Sequence, residues 1–349
     1  MTSPRIAILG AGANGGSIGV DLHRAGLDVT LIEQWPEHVR AIRDKGLTVN
    51  TPEGSTTTTG MRALDICQVA TLREKFDVVL MLMKAYDSTW AAHLIEPYLA
   101  TDGLLVGVQN GMTHEAVRAV VGAERSLGCV IEISSTMYEP GVIDRHSGQN
   151  RSWFAVGSEG PESVDREKDA SALLAHSGAV EIVDDIVSAK WMKLVSNATT
   201  LVTTASLGLT MMGAESTPGM REVMVGSGNE ALRAAIANGA QITPIFGLTA
   251  EAVKDPATVV ETLLDTLYGG FILPNTTTTI LQDWNKHRHS EVNDINGHVV
   301  RASAAKGLAA PINAAVVELA HAIETGQVEP GLEHLGTLRT AGGFGPLSG

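Results

Sequence analysis

Within its first 33 residues the chain carries a short apolar run, Ile6-Ala7-Ile8-Leu9, which leads into the glycine turn Gly10-Ala11-Gly12-Ala13-Asn14-Gly15. A helical pattern follows, then a second apolar run, Val29-Thr30-Leu31-Ile32, closed by Glu33. Strand, glycine turn, helix, strand and acid, in that order, form the pattern by which a parallel sheet holds a dinucleotide. Each glycine has its own task. Gly10 turns the chain out of the strand, Gly12 lets the backbone approach a pyrophosphate, and Gly15 lets the helix lie close to the sheet. Ala13 and Asn14 open the helix, where unpaired N–H groups and the positive end of the dipole favour phosphate. Glu33 is placed to accept hydrogen bonds from the adenosine ribose hydroxyls, and its charge would repel a 2′-phosphate. Neither arginine nor lysine occurs between positions 30 and 38, and Arg40 falls on the next expected helix. The residues therefore favour NAD(H) over NADP(H). A glycine-rich loop without a ligand would leave the acid unexplained.

The rest of the first half continues the alternation of strand and helix. Asp77 to Met83 and Gly103 to Val108 are near-continuous apolar runs of the kind found in buried parallel strands, and Ser126 to Ile133 reads as a further strand. Val142 to His146 and Trp153 to Val156 flank the turn residues Gly148-Gln149-Asn150 and are expected to form a hairpin that finishes the sheet. After about Val183 the texture becomes helical, over roughly 186–206, 216–239, 249–268, 276–306 and 311–325, with Asp184 or Asp185 as the cap of the first helix. The expected fold is α/β: an N-terminal Rossmann doubly wound sheet over 1–183, followed by an all-helical C-terminal domain over 184–325. Residues 326–349, with several glycines and little periodicity, read as a mobile tail or a partner-contacting extension.

Composition narrows the function classes. A net charge of −14 argues against nucleic acid or an anionic membrane as a bulk partner, although local lysines can still receive an anionic substrate. Cys67 and Cys129 lack metal-ligand spacing, and the 11 histidines form no HxxxH pair. His287 and His289, two apart on an expected helix, face different directions. No metal site and a reducing, cytoplasmic setting are expected. A first strand that begins by about Arg5 leaves no room for a signal peptide, and no apolar run approaches the roughly 18 residues of a membrane span.

Two groups of residues in the helical half could carry chemistry. In Lys190-Trp191-Met192-Lys193-Leu194-Val195-Ser196-Asn197, Lys193 and Asn197 lie one helical turn apart on a shared face, with Lys190 on or near it. An ammonium there could donate a proton to a developing alkoxide, and the amide could hold the same oxygen. Further on, hydroxyls cluster at an expected helix start in Asn275-Thr276-Thr277-Thr278-Thr279, a plausible carboxylate-binding end. Glu291 follows Asp283 by eight residues, close to two turns, which places both near one face of the expected helix. By residue type and spacing alone, solvated and capped helices account for these features equally well.

Taken in order, these segments resemble the ketopantoate reductase family (2-dehydropantoate 2-reductases) over nearly the whole chain apart from the tail. The glycine turn, Lys84-Ala85, Gln109-Asn110-Gly111-Met112, Lys193 through Asn197, and Thr279 through Leu281-Gln282-Asp283 to Glu291 with Ile295-Asn296-Gly297 carry the resemblance. It implies a Rossmann domain and a helical domain with the active site in the cleft between them. It implies reversible hydride transfer between NAD(P)H and a small branched 2-oxo acid, by default 2-dehydropantoate to pantoate. Lys193 then corresponds to the general acid, and Asn197 to a substrate-contacting asparagine. Glu291 corresponds to the glutamate that binds the substrate hydroxyl and helps position the lysine. Thr279 stands where a serine often touches the substrate carboxylate. Asn110 lies near nicotinamide and substrate, and Lys84 lines the same cleft. Glu33 departs from the family's basic residue for NADP(H), and Thr279 adds a methyl group to the pocket. Apolar helical faces after position 186 suggest a homodimer. Two other readings share the glycine turn. An opine- or 6-phosphogluconate-type dehydrogenase is one, although no histidine suits the opine role. A non-enzymatic dinucleotide-binding redox sensor is the other, and it would leave Lys193, Asn197 and Glu291 without a task.

Overall fold

A computed structural model describes residues 3–345. The chain divides into two compact units, Met1–Ile186 and Val187–Gly349. No helix among the described residues is long and apolar enough to cross a membrane.

The first unit runs β1 (Arg5–Leu9), α1 (Ala13–Arg24), β2 (Asp28–Glu33), α2 (Pro36–Lys45), β3 (Leu47–Thr51), β4 (Gly54–Thr58), β5 (Arg62–Asp65), β6 (Phe76–Met81), α3 (Ser88–Ile95), β7 (Leu99–Gly107), α4 (His114–Val121), β8 (Ser126–Glu132), β9 (Ser135–Glu139), β10 (Val142–Arg145), β11 (Trp153–Gly157), α5 (Glu167–Leu174) and β12 (Ala179–Ile182). Eight strands form one sheet in the order β12-β11-β8-β7-β6-β1-β2-β5. All neighbours are parallel except β8 and β11. The chain leaves β1 toward β2 and later returns to its other side as β6, so the order reverses between β1 and β6. In such a sheet, ligands bind outside the carboxyl ends of the strands at that reversal.

The sheet is buried on both faces, which is why β1 is apolar without alternation. Ile6, Ile8 and Leu31 pack on one side with α1 and α5; Ala7, Leu9, Val79 and Met81 pack on the other with α3 and α4. A second sheet, β4-β3-β10-β9, covers the outer side of α1. This corrects the expected hairpin. β10 pairs with β3 and β9 in the small sheet, whereas β11 pairs with β8 and β12 in the large one.

The helix α1 therefore has two walls, and glycine makes room for both. A Cβ on Gly19 would come within 2.5 Å of Leu31 in the large sheet, and one on Gly16 within 2.6 Å of Ile143 in the small sheet.

The second unit is helical: α6 (Ile186–Ala205), α7 (Met211–Glu215), α8 (Met220–Ala237), α9 (Val259–Gly270), α10 (Thr279–Asn285), α11 (Asn296–Ala304), α12 (Pro311–Glu324) and α13 (Leu335–Ala341). Its axis is α6, buried nearly all round. The hydroxyls of Thr199, Thr200, Thr203, Thr204 and Ser206 are satisfied within the helix, each donating to the carbonyl four residues earlier. This back-bonding lets so polar a helix be buried.

Three expectations fail here, the first being the helix expected over 249–268, which begins only at α9 (Val259–Gly270). The helix expected over 276–306 is two, because the chain turns after α10 and His287 adopts φ +53°. Asp283 and Glu291 thus do not share a helix face, and His287 and His289 lie in the turn. Nor is the segment after Gly326 a mobile tail as far as Gly345. Its helix α13 packs on α8 and α12 and buries Leu335 and Leu338. Residues 346–349 of that expected tail lie outside the described residues.

Candidate active site

Parallel register gathers the sequence-predicted residues of the first unit at one edge. Leu9 is level with Ile32 of β2 and Met81 of β6, and Met81 is level with Gly107 of β7. The glycine turn, Glu33, Lys84 and Asn110 therefore issue from the carboxyl ends of four adjacent strands. The turn is built as its glycines require. Gly10 has φ +93° and lies so close to the β6 strand end that a Cβ would come within 2.8 Å of the Leu82 and Met83 backbone. A Cβ on Gly15 would sit 2.0 Å from the Gly10 carbonyl oxygen. At Gly12, by contrast, a Cβ would meet nothing within 4 Å. That open space lies over the start of α1, whose N-cap provides no side-chain hydrogen bond to the first-turn N–H groups. These features fit a dinucleotide pyrophosphate.

Around the turn, side chains act as struts. Asn14 accepts a hydrogen bond from Ser135 of β9 through its Oδ1 (2.5 Å), so its side chain ties α1 to the small sheet, and its N–H belongs to the helix start. Glu33 is 6% exposed, and its Oε1 accepts from the N–H groups of Gln34 (2.9 Å) and Trp35 (3.0 Å), which orients the carboxylate at the strand end. Arg40 lies on α2 as expected, paired with Glu37 at 2.8 Å. Gln109 links the other two strand ends: its Nε2 donates to Ser88 Oγ (2.9 Å), which donates to the Ala85 carbonyl (2.7 Å). The loop of Lys84 and the loop of Asn110 are thereby joined.

His38 is a strut that sequence reasoning missed. Its Nδ1 accepts from the Gly141 N–H (2.8 Å), so the ring proton is on Nε2, which donates to the Ala11 carbonyl (3.1 Å) in the glycine turn. Burial pushes this imidazole below its ordinary pKa, partly opposed by the bond to Ala11, so the neutral ring is the form that holds the turn. A lone histidine between Glu37 and Val39 carries no such signal in the sequence.

In the second unit, Lys193 and Asn197 stand one turn apart on α6, 8% and 2% exposed. The Lys193 ammonium lies over the ring of Phe246, 5.1 Å from its centroid. Glu291, 3% exposed, opens the turn that leads into α11. Two contacts bring that turn to the same stretch of α6. Asn296 Nδ2 donates to the carbonyl of Ala198 (3.3 Å), and the rings of His298 and Trp191 meet edge-on at 5.2 Å. Burial, and then the negative charge of Glu291, raise the pKa of Asp294. Burial and Arg301 lower that of His298 to about 4.

The threonine run divides its work. Thr276 Oγ1 accepts from the Leu273 N–H and Thr278 Oγ1 caps α10 by accepting from Leu281 N–H, whereas the buried Oγ1 of Thr279 has no hydrogen-bond partner among the described residues. A buried, unsatisfied hydroxyl costs stability unless a ligand meets it.

Two carboxylates that the sequence did not single out hold this framework. Glu324 of α12 accepts from the Ser290 N–H (2.9 Å), the Ser290 hydroxyl and Trp284 Nε1 (3.3 Å), and it pairs with His289, fixing the turn immediately before Glu291. Glu230 of α8 accepts from the N–H groups of Ile312 (3.0 Å) and Asn313 (2.9 Å) at the start of α12.

Comparison with known proteins identifies the family and the fold. The family model for ketopantoate reductase PanE/ApbA matches residues 6–159, and the model for its C-terminal part matches residues 185–324. The 2-dehydropantoate 2-reductase of Caulobacter vibrioides is 29% identical over 338 residues, covering 92% of this chain and 99% of the relative. That of Lactococcus lactis subsp. lactis is 27% identical over 323 residues, covering 92% and 98%. The crystal structure of a PanE/ApbA family ketopantoate reductase from Ralstonia eutropha JMP134 superposes with a TM-score of 0.77 at 25% identity, covering 93% of this chain and 99% of that one. A D-mandelate dehydrogenase solved with NADH and anilino(oxo)acetate shares the fold, with a TM-score of 0.82 at 22% identity over 92% and 98% of the two chains. Matched by both models and by relatives along nearly its full length, the chain belongs to the ketopantoate reductase family.

Proposed function

We propose that this chain is a nicotinamide-dependent oxidoreductase that interconverts a small branched 2-oxo acid and its 2-hydroxy acid, with Lys193 as the general acid. The reaction named for its relatives, 2-dehydropantoate to pantoate, is the first to test. The observation that carries the reading is the pairing of a dinucleotide turn in the first unit with a buried lysine, amide and carboxylate in the second. The family match favours neither an opine- or 6-phosphogluconate-type dehydrogenase nor a redox sensor, and a sensor would leave Lys193, Asn197 and Glu291 without a task.

Gly10, Gly12 and Gly15, with the N–H groups of Ala13 and Asn14, hold the pyrophosphate; Glu33 holds the adenosine ribose; Lys84 and Asn110 line the nicotinamide end. The bound nicotinamide supplies or accepts the hydride. In reduction, Lys193 gives a proton to the carbonyl oxygen as negative charge builds there, and Asn197 donates a hydrogen bond to the substrate. Thr279 offers its unsatisfied hydroxyl to the substrate carboxylate. Glu291 accepts from a substrate hydroxyl and helps aim Lys193. Burial of Lys193, Asn197 and Glu291 excludes water and strengthens their interactions.

The cofactor is NAD(H) on this reading. The Glu33 carboxylate is held at the strand end by two backbone N–H groups, and a 2′-phosphate beside it would face a fixed negative charge. The test is a matrix followed at 340 nm, in which NADH and NADPH are each offered with 2-dehydropantoate and a panel of branched 2-oxo acids. Turnover with NADH is expected. Glu33→Arg is expected to move the NAD/NADP ratio of kcat/KM toward NADP by about tenfold or more. An unchanged ratio would mean that Glu33 does not read the ribose, and silence across the panel with cofactor bound would overturn the enzymatic reading.

A further inference from the structure

The backbone at Phe246 breaks a local rule. The Leu248 N–H bonds to the Ile245 carbonyl (3.1 Å), closing a four-residue turn whose two central residues, Phe246 and Gly247, have φ +60° and +74°. Left-handed backbone at both central positions marks a turn that normally selects glycine, asparagine or aspartate. Gly247 fits that preference, whereas a bulky aromatic at the first position is strained. Among the described non-glycine residues, only Phe246 and His287 have positive φ. Strain of this kind persists where the surroundings over-determine it, and it concentrates at functional sites.

What the strained turn achieves is visible in unit two itself. It drives the Phe246 ring inward, 7% exposed, against Phe271 at 5.5 Å between centroids, and beneath the Lys193 ammonium at 5.1 Å. A cation within about 6 Å of a ring centroid is attracted to the negative face of the π system, more strongly when both are removed from water. A lysine has four rotatable bonds, and a general acid must point at one oxygen.

We infer that Phe246 is a positioning residue for catalysis: its ring face holds the Lys193 ammonium in the orientation from which it reaches the substrate oxygen. The inference rests on the reading of Lys193 as the acid. It assigns the ring a task beyond filling volume, because leucine would fill much of the same space without a negative face.

The test replaces Phe246 in the full-length enzyme with 4-fluoro-, 3,4-difluoro- and 3,4,5-trifluorophenylalanine, which nearly keep the shape and progressively weaken the ring's hold on a cation. Phe246→Leu and Phe246→Tyr are made alongside. The readouts are the single-turnover rate of NADH oxidation with saturating 2-oxo acid, the KM for that acid, and the Kd for NADH. The rate is expected to fall stepwise with each fluorine and about fivefold to tenfold in Phe246→Leu, with KM and Kd within twofold and Phe246→Tyr restoring most of the rate. A flat fluorine series, or equal losses in Phe246→Tyr and Phe246→Leu, would reduce the ring to packing and overturn the inference. Lys193→Ala separates the two levels. If it loses the reaction while the fluorine series is flat, only the role of Phe246 fails; if it turns over normally, the assignment of the acid fails and that of Phe246 with it.

Discussion

The first unit would build its proposed site from backbone, the second from side chains, three of them buried. In the first, parallel register brings four strand ends level, and glycine removes the Cβ atoms that would block the turn. On the proposed reading the essential groups there are N–H donors that any residue but proline supplies, with one acid added at a fixed place. In the second, Lys193, Asn197, Thr279 and Glu291 come from α6, α10 and the turn before α11, each held by contacts made elsewhere in the unit. Backbone sites are specified by what is missing, side-chain sites by what surrounds them. Damage to the two should therefore separate cofactor binding from turnover.

The sharpest way to break that contrast is Lys193→Ala. Turnover is expected to fall at least 100-fold, about 2.7 kcal/mol of transition-state stabilisation, with NADH affinity unchanged in a fluorescence titration. A parallel loss of NADH affinity would mean that the two halves are not separable. Gly15→Ala attacks the other side. The added methyl meets the Gly10 carbonyl, and NADH affinity is expected to fall about 30-fold while the helical unit keeps its melting behaviour. Full affinity in that variant would show that the turn has slack.

Glu324→Ala tests whether the second unit depends on remote support. It strips the acceptor from the Ser290 N–H and from Trp284, and KM for the 2-oxo acid should rise about tenfold with no change for NADH. The mildest effect concerns His298. Its folded pKa of about 4 lies below its ordinary value, so it stabilises the fold above about pH 6.5, and that stability is lost as pH falls toward 4. In His298→Phe the melting temperature should fall less steeply over that window, and an unchanged slope would assign the acid sensitivity to other groups.

How much of this was legible in the sequence follows the same division. The run from Ile6 to Glu33 is local, and its pattern names the fold and points to the candidate cofactor site. Strand partners are not local. The turn residues at 148–150 suggested that Val142–His146 and Trp153–Val156 pair, yet β10 aligns with Thr48 to Asn50, far back in the chain. Helical periodicity continued through residues 286–295 although the chain turns there, since the break is made by a histidine at φ +53° with no proline or glycine to mark it. Lys193 and Asn197 were legible as a pair because both lie on one helix. Glu291 acquired a role only through resemblance, and Glu324 and Glu230 were invisible because their partners lie 34 and 82 or more residues away.

The second wall of α1 has a consequence for the making of the protein. The glycine turn is complete once Gly15 has been synthesised, but the β9 and β10 strands that cover the helix, and the Ser135 hydroxyl that ties down Asn14, come from residues 135–145. Until the ribosome has added that stretch, the outer face of α1 is covered only by β3. A nascent chain therefore carries the dinucleotide fingerprint for more than a hundred residues before the strands that finish the outer wall of α1 exist.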